Sequence, residues 1–514
     1  HVLNICTFKT EGSKSSILTA ARGLGIDSSI AQYIANMIPV VRGKTTSLTV
    51  MVNGDDENGI RPNTEFINEC RSYPRLLDVA MSIEGMVCGR SIHASGVIIF
   101  DDPYTEHNCM MRSPNGQTTT QWSMEDSEYC GGLKYDYLTV EAMDSMRICF
   151  DFLVKYGYVE WQGNLRSTYN KYFHPDVLDY DSEDMWKMAE NLEIVNLFQF
   201  QTQVGSKAIQ AIKPRNLREL GTANAVMRLM VSKEPDETED PEQPIDTYVR
   251  YKNDIGQWYS CMKNKYQLTQ PEISILEKYL LPVHGMASMQ EEVMELVMDD
   301  HISDFTMQEA NKLRKSIAKK KVKLQLQAKD LFYKHGHDVK TRINLLDYVW
   351  KEVIKKQLGY SFSLPHVAGY STIAVQEMNM AYHYPIIYWN TANLIVNSGS
   401  MDMEDSTQST NYGKIATAIS NMQKRGENIT LPLINSMDFG FIPDEEHDRI
   451  IYSVKAINGI GDEVAREIIK NRPYSSFEDF CKRMISTGKV KTSQMVQLIK
   501  AGCFTELHAE DRRE

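Results

Sequence analysis

The sequence predicts an α+β chain that is mostly α, with strands gathered near its start and a long helical body after them. Short runs of β type occur at 2–8, 91–100 and 132–138, whereas from about 141 to 400 apolar residues recur at helical spacing. The length of 514 residues asks for several cores rather than one.

The first element is the strand-like VLNICTF directly after His1. An apolar strand with no preceding cap or turn reads as part of a longer chain. Ser13 to Leu24 follows as a helix with Ile17, Ala20, Ala21 and Leu24 on one face, and Gly25 stops it. A second helical pattern runs from Ile30 to Ile38 and closes at Pro39. Thr45 to Val52 reads as extended, and Gly54 to Pro62 as a polar loop. Arg75 to Gly85 is a helix leading into the strand Ser91–Phe100, whose VIIF end is a buried type. A further strand, Gly132 to Leu138, precedes a helix with Ala142, Met146, Cys149 and Leu153 on one stripe and Gly157 after it. The acidic, proline-rich stretch 231–244 is expected as a solvated linker, and Gly399–Thr410 as a second loop. No repeat of fixed period is present, which argues against a solenoid.

With 42% hydrophobic and 24% charged residues, the composition is that of a globular protein and excludes a mostly disordered one. The formal net charge of −12 provides no global field for nucleic acid or membrane, so any polyanion must meet local basic patches. The nine cysteines form no CxxC pair, which fits a reducing compartment and neither a disulfide framework nor a structural zinc site. Gln357–Gln376 and Met378–Met401 lack Asp, Glu, Lys and Arg, yet hold Pro365, Pro385, His and Asn. They are expected as packed helices, not membrane spans.

Three segments carry chemistry. In LKYDYL, alternation puts Lys134 and Asp136 on one face of a strand and Leu133, Tyr135 and Tyr137 on the other. An ammonium and a carboxylate so placed suit a metal and a polyphosphate, but spacing alone favours a surface ion pair at a sheet edge. Lys312 to Leu324 has seven basic and no acidic residues. On one helix, Lys312, Lys315, Lys319 and Lys323 share a face beside an apolar stripe of Leu313, Ile317 and Leu324. That row suits a phosphate backbone, and equally a solvated face. In Ile450–Lys470, two helices are expected, one marked by Ile450, Val454 and Ile457 and the other by Val464, Ile468 and Ile469. Between them Gly459 and Gly461 bracket Ile460. Glycines that admit a phosphate, before the amide-rich start of a helix, make a helix-hairpin-helix pattern for duplex contact without sequence preference. A tight turn between two ordinary helices is the alternative. Ser475-Ser476 and FEDFCKRM read as a capped short helix, and LIKAGCF (498–504) as a further small one.

Several segments, in order, resemble the bacterial C-family replicative DNA polymerases, the alpha subunit of DNA polymerase III. ICTFKTEGSKSSILTAARGLG (5–25) is similar to the family's entry into the thumb, and IEGMVCGRSIHASGVIIFDDP (83–103) to a palm segment. TQWSMEDSEYCGGLKYDYL (120–138) resembles the palm strand with the third catalytic aspartate. FQFQTQVGSKAIQAIKP (198–214), GMASMQEEVM (285–294), ANKLRKSIAKKK (310–321) and GYSFSLPHVAGYSTIAVQ (359–376) resemble successive fingers motifs.

The resemblance implies the second half of a polymerase-beta-like palm (1–13 and 81–140), a helical thumb (14–80), large all-α fingers (141–445) and a helix-hairpin-helix domain (446–514). It implies Asp136 as the catalytic and metal-binding aspartate, and Lys134, Arg228 and His366 as dNTP contacts. Lys14 would touch the primer-template backbone, while His93 is expected to pack the active-site strands. Two Mg²⁺ ions would be shared with aspartates outside this chain, because one carboxylate cannot fix both. The implied partners are primer-template DNA, dNTP, the N-terminal polymerase portion or a separate subunit, and a sliding clamp with other replisome proteins, with no membrane. The implied location is the cytoplasm, that of a bacterial host if a phage encodes the chain. Departures mark a divergent member: Leu229-Met230 follow Arg228 where the family has Pro-Gly, Leu364 stands for a lysine, and Leu18 and Cys88 for arginines. The expected activity is template-directed DNA synthesis; the competing expectation is a non-catalytic DNA-binding subunit or half of a split polymerase.

Overall fold

A computed structural model of the chain describes residues 1–41, 44–55, 60–229, 242–318, 322–358, 362–401 and 409–507. The chain is mostly helical, with small sheets, and divides into two compact units, His1–Val140 and Glu141–Glu514.

The first unit holds strands β1 (Val2–Thr10), β2 (Val40–Val41), β3 (Lys44–Thr45), β4 (Val87–Ile99), β5 (Met110–Arg112), β6 (Thr118–Thr120) and β7 (Leu133–Asp136). Five form one sheet in the order β5-β6-β1-β4-β7; β2 and β3 pair separately. β4 runs antiparallel to both β1 and β7, while β6 is parallel to β1. Ile5, Ile98, Phe100 and Tyr104 form the core against this sheet. Helices Ser13–Gly23, Ser28–Asn36, Leu48–Asn53, Thr64–Arg71 and Leu76–Ile83 close on a core that includes Ile17, Ala21, Ile34, Phe66 and Leu76.

The expected extended segment Thr45–Val52 is mostly helix. Its β-branched residues favour a strand, but Ser47 caps the Val50 amide and Leu48 and Met51 bury three residues apart on one face. The strand expected over Gly132–Leu138 is shorter, and β4 is longer than foreseen.

In the second unit the long helices Glu141–Lys155, Leu364–His383 and Ile386–Ser398 pack around Trp186, Tyr388 and Trp389. Every residue from Ile387 to Ser398 is buried, which explains the charge-free stretch. Its polar groups find partners, as where the Trp389 indole donates to the Val195 carbonyl at 3.0 Å. No helix among the described residues is long and apolar enough to cross a membrane. A second core gathers Trp258, Leu276, Phe332, Tyr348 and Trp350. A third, near the end of the chain, gathers Val454, Ile460, Val464, Ile468, Phe480 and Leu498. A small sheet there pairs β8 (Asn428–Ile429), β10 (Arg449–Ile451) and β9 (Ile442–Asp444), with β10 in the middle.

Of the expected linker 231–244, residues up to 241 lie outside the described residues. Glu242 pairs with Arg250, and Pro244 opens the helix Pro244–Asn253. Residues 402–408 of the expected second loop also lie outside them.

Candidate active site and nucleic-acid interface

On the sheet, the ladder sets Gly96 opposite Asp136 and Ile98 opposite Lys134. Between Asn4↔Val97 and Cys6↔Ile92 the register with β1 slips, so His93–Gly96 bulges out of β4. Bulges re-aim side chains, and this one turns Ser95 toward Asp136. The Ser95 hydroxyl donates to Asp136 Oδ1 at 3.0 Å, and Lys134 Nζ to Oδ2 at 2.8 Å. The hydrogen bond from Lys134, with help from Ser95, outweighs an opposing desolvation and holds the Asp136 carboxyl below the usual range. It is therefore an anion at neutral pH, on an exposed strand. His93 Nδ1 accepts the amides of Gly96 (2.7 Å) and Ser95 (3.3 Å), so it pins the bulge. Gly96 has to be small: a Cβ there would lie 2.8 Å from His93 Nδ1 and 3.1 Å from Lys134 Cε.

A hard divalent cation takes six or more oxygen ligands, usually including carboxylates. Asp136 offers one carboxylate, beside a hydroxyl and an ammonium. It belongs to no cluster of three metal-binding side chains; among the described residues the one such group is Asp299, Asp300 and His301, an acidic turn in which Asp300 and His301 are exposed. Asp136 thus fits as one ligand of a site completed by other groups.

In the second unit Arg228 and His366 meet across Phe362. The Arg228 guanidinium lies 4.9 Å from the Phe362 ring centroid, and the His366 ring stacks on that ring at 5.6 Å and 11°. Arg228 donates to the Asn224 carbonyl at 2.7 Å and to the side chains of Asn224 and Gln199. Tyr370 packs 4.1 Å from His366, and Phe198 packs against Tyr370 at 5.0 Å. The turn carrying Phe198 is tightly specified, with Asn196 and Gln199 at φ 54° and 70°. Buried Glu377 accepts the Phe198 amide at 2.7 Å, and desolvation raises its carboxyl well above the ordinary value.

Near the chain end, the first helix expected from Ile450, Val454 and Ile457 does not form. β10 takes its start, and tight turns at Val454–Ile457 and Ile457–Ile460 take the rest. Ile450 is pinned between Ile429 and Pro443, so strand pairing overrides the helical spacing. The hairpin itself is present. Gly459 adopts φ 82°, Ile460 is buried, and Gly461 leads into the helix Asp462–Lys470 with no side-chain cap. A Cβ on Gly461 meets nothing within 4 Å, which leaves open space before the helix amides. Asp462 and Glu463 oppose an anion in that first turn, but Lys455 neutralises Asp462 at 3.0 Å. Ser476 caps Phe477–Thr487 as expected, and the last helix is Thr492–Lys500, earlier than LIKAGCF suggested.

Lys312 and Lys315 stand exposed on the helix Met307–Ala318, whose Leu313 and Ile317 are buried. Lys319 lies outside the described residues, as does the side chain of Lys323 on the helix Val322–Asp338. Lys14 is half-buried in the first turn of Ser13–Gly23.

Sequence reasoning missed Ser95, Gln199, Phe362 and Glu377. The glycine inside the strand pattern SIHASG was the legible sign of a bulge; Phe362 is bridged to Met289, a pairing that no local pattern announces.

Residues 1–139 match the bacterial DNA polymerase III alpha NTPase domain, 160–339 the finger domain of that subunit, and 426–514 a helix-hairpin-helix motif. The chain is 49% identical to the probable DNA polymerase YorL of Bacillus subtilis, over 98% of this chain and 38% of that protein. The DNA-directed DNA polymerase of Bacillus phage SPbeta matches to the same extent. The DNA polymerase III subunit alpha of Aquifex aeolicus is 25% identical over 98% of this chain and 41% of that subunit. The chain thus spans about two fifths of the length of these curated relatives. Matched in the same order by two domains of the subunit and by a helix-hairpin-helix motif, the chain is homologous to bacterial DNA polymerase III alpha subunits.

Proposed function

We propose that this chain is the part of a template-directed DNA polymerase that extends a primer 3′-hydroxyl with dNTP. The observation that carries the reading is the ionised Asp136 on the β4–β7 ladder, held by Lys134 and Ser95 within the segment that matches the polymerase domain. Asp136 would hold divalent metal, read as two Mg²⁺ ions whose other carboxylates come from outside this chain; bound metal would stabilise the charge of the transferring phosphoryl group. Lys134 would meet the triphosphate, while Ser95 and His93 keep the carboxylate aimed. Arg228 would bind phosphate, and His366 on Phe362 would present a flat face to the incoming nucleotide. The Gly459–Gly461 turn, Lys14, Lys312 and Lys315 would hold the primer-template through its backbone. Partners would be the remaining polymerase portion and, beyond it, a clamp and other replisome proteins in the cytoplasm.

The test is complementation. This chain alone, and this chain mixed with the part of the phage SPbeta polymerase that it does not cover, are assayed for Mg²⁺-dependent primer extension. Extension only in the mixture supports the proposal. Duplex binding with no extension in either sample would favour a non-catalytic DNA-binding subunit.

A further inference from the structure

A cavity of about 930 Å³ opens in the second unit beside the helix Pro244–Asn253 and two π-helical turns, Cys261–Lys265 and Val349–Ile354. Such turns are rare and gather at functional sites. Six cationic side chains line it: Arg250, Lys265, Lys329, Lys351, Lys355 and Lys356. Only three carboxylates face them, Glu242, Asp347 and Glu352. In a chain of net charge −12 this is a local excess of positive charge, and concave walls concentrate its field.

The carboxylates brace the cations. Glu352 takes Lys265 at 2.7 Å, the Tyr266 hydroxyl at 2.8 Å and Lys356 at 3.1 Å. Lys356 is 8% exposed and also donates to Thr247 Oγ1 at 3.1 Å. Glu242 grips Arg250 through two bonds of 2.7 and 2.8 Å, and Asp347 holds Lys351 at 2.8 Å. Cations fixed in this way lose little side-chain freedom when an anion arrives. None of the lining residues belongs to the Arg228–Phe362–His366 cluster.

We propose that this cavity is a second anion site that takes an oligophosphate, a compact run of adjacent phosphoryl groups, free or on a nucleoside. The charges are gathered in one concavity, whereas a nucleic-acid strand requires a track that continues along its backbone.

The test titrates the 514-residue chain calorimetrically with inorganic tripolyphosphate and, separately, with dATP, at constant ionic strength and without divalent metal. Saturable binding is expected, and Lys329→Glu/Lys355→Glu should weaken it at least tenfold. Lys351→Gln, which removes one charge, gives an independent, smaller weakening. Equal affinity for the two probes, weakened alike by the double substitution, identifies the phosphate chain as the ligand, and a tighter dATP affinity that the same substitution weakens identifies a nucleotide. Failure to saturate at millimolar probe, unchanged affinity in the folded double variant, or displacement by an oligodeoxynucleotide at equal phosphate would overturn the proposal. Failure of primer extension would leave this result unaffected, so the two readings fail separately.

Discussion

Glu352→Gln removes the charge around which Lys265, Lys356 and Tyr266 are arranged. Burial alone would raise the Glu352 carboxyl, but the Lys356 and Lys265 ammonium groups and the Tyr266 hydroxyl outweigh it and bring it down to about 2. Against an ordinary value of 4.5 in the unfolded chain, that depression is worth roughly 3 kcal/mol at neutral pH. The side chain is 13% exposed, so solvent screening discounts this little. A carboxyl whose pKa falls on folding contributes fully above its unfolded value, and the contribution fades as pH drops through about 5 toward 2. Between pH 7 and pH 3 the wild type should therefore lose roughly 2 kcal/mol from this one group. The assay is urea unfolding of wild type and Glu352→Gln at pH 7, 5, 4 and 3, followed by tryptophan fluorescence, since Trp258 and Trp350 lie in the same core. The variant should be less stable at pH 7, and the gap should narrow by roughly 2 kcal/mol by pH 3. A gap that stays constant with pH would refute the reasoning, because a steric or packing loss does not titrate.

Three further outcomes are expected. Gly461→Gln should weaken duplex DNA binding severalfold with thermal stability unchanged, because its Cβ meets open space and its φ of −84° suits any residue; gel-shift and melting measurements check this. Gly459→Gln should in addition cost about 1 kcal/mol, because φ 82° strains a side chain. Lys312→Gln/Lys315→Gln should flatten the slope of log affinity against log salt by roughly 2, and an unchanged slope would make these lysines solvent-facing only. Gly96→Val should push His93 and Lys134 apart and cut primer extension in the complemented enzyme by more than tenfold, while gel-shift affinity for duplex DNA holds.

Periodicity made the helices Ser13–Gly23 and Glu141–Lys155 legible, because each buries a single regular face, and runs of β type located the strands β1, β4 and β7. It failed where a non-local partner decides. Ile450 is spaced as on a helix, but two strand neighbours claim its backbone. The β-branched run before Asn53 is turned into helix by one serine cap and two buried side chains. At the site, Lys134 and Asp136 were readable as neighbours on one strand face, and the salt bridge follows from that alternation. Ser95 was not, because the bulge that delivers it depends on a register slip between β1 and β4. The meeting of Arg228 with His366 was likewise hidden, since it runs through Phe362, which lies far from Arg228 in sequence. Both π-helical turns, and the cavity they line, have no signature in the residue pattern.

The most direct measurement is the single-turnover rate of primer extension by the complemented enzyme carrying Asp136→Asn. The substitution keeps the size of the side chain and its acceptor toward Ser95 while removing the charge. Primer-template affinity should hold, and the rate should fall by about a thousandfold or more, as the loss of charge stabilisation at the reacting phosphoryl group requires. An Asp136→Asn enzyme that extends primers at close to the wild-type rate would contradict the assignment of this carboxylate to catalysis.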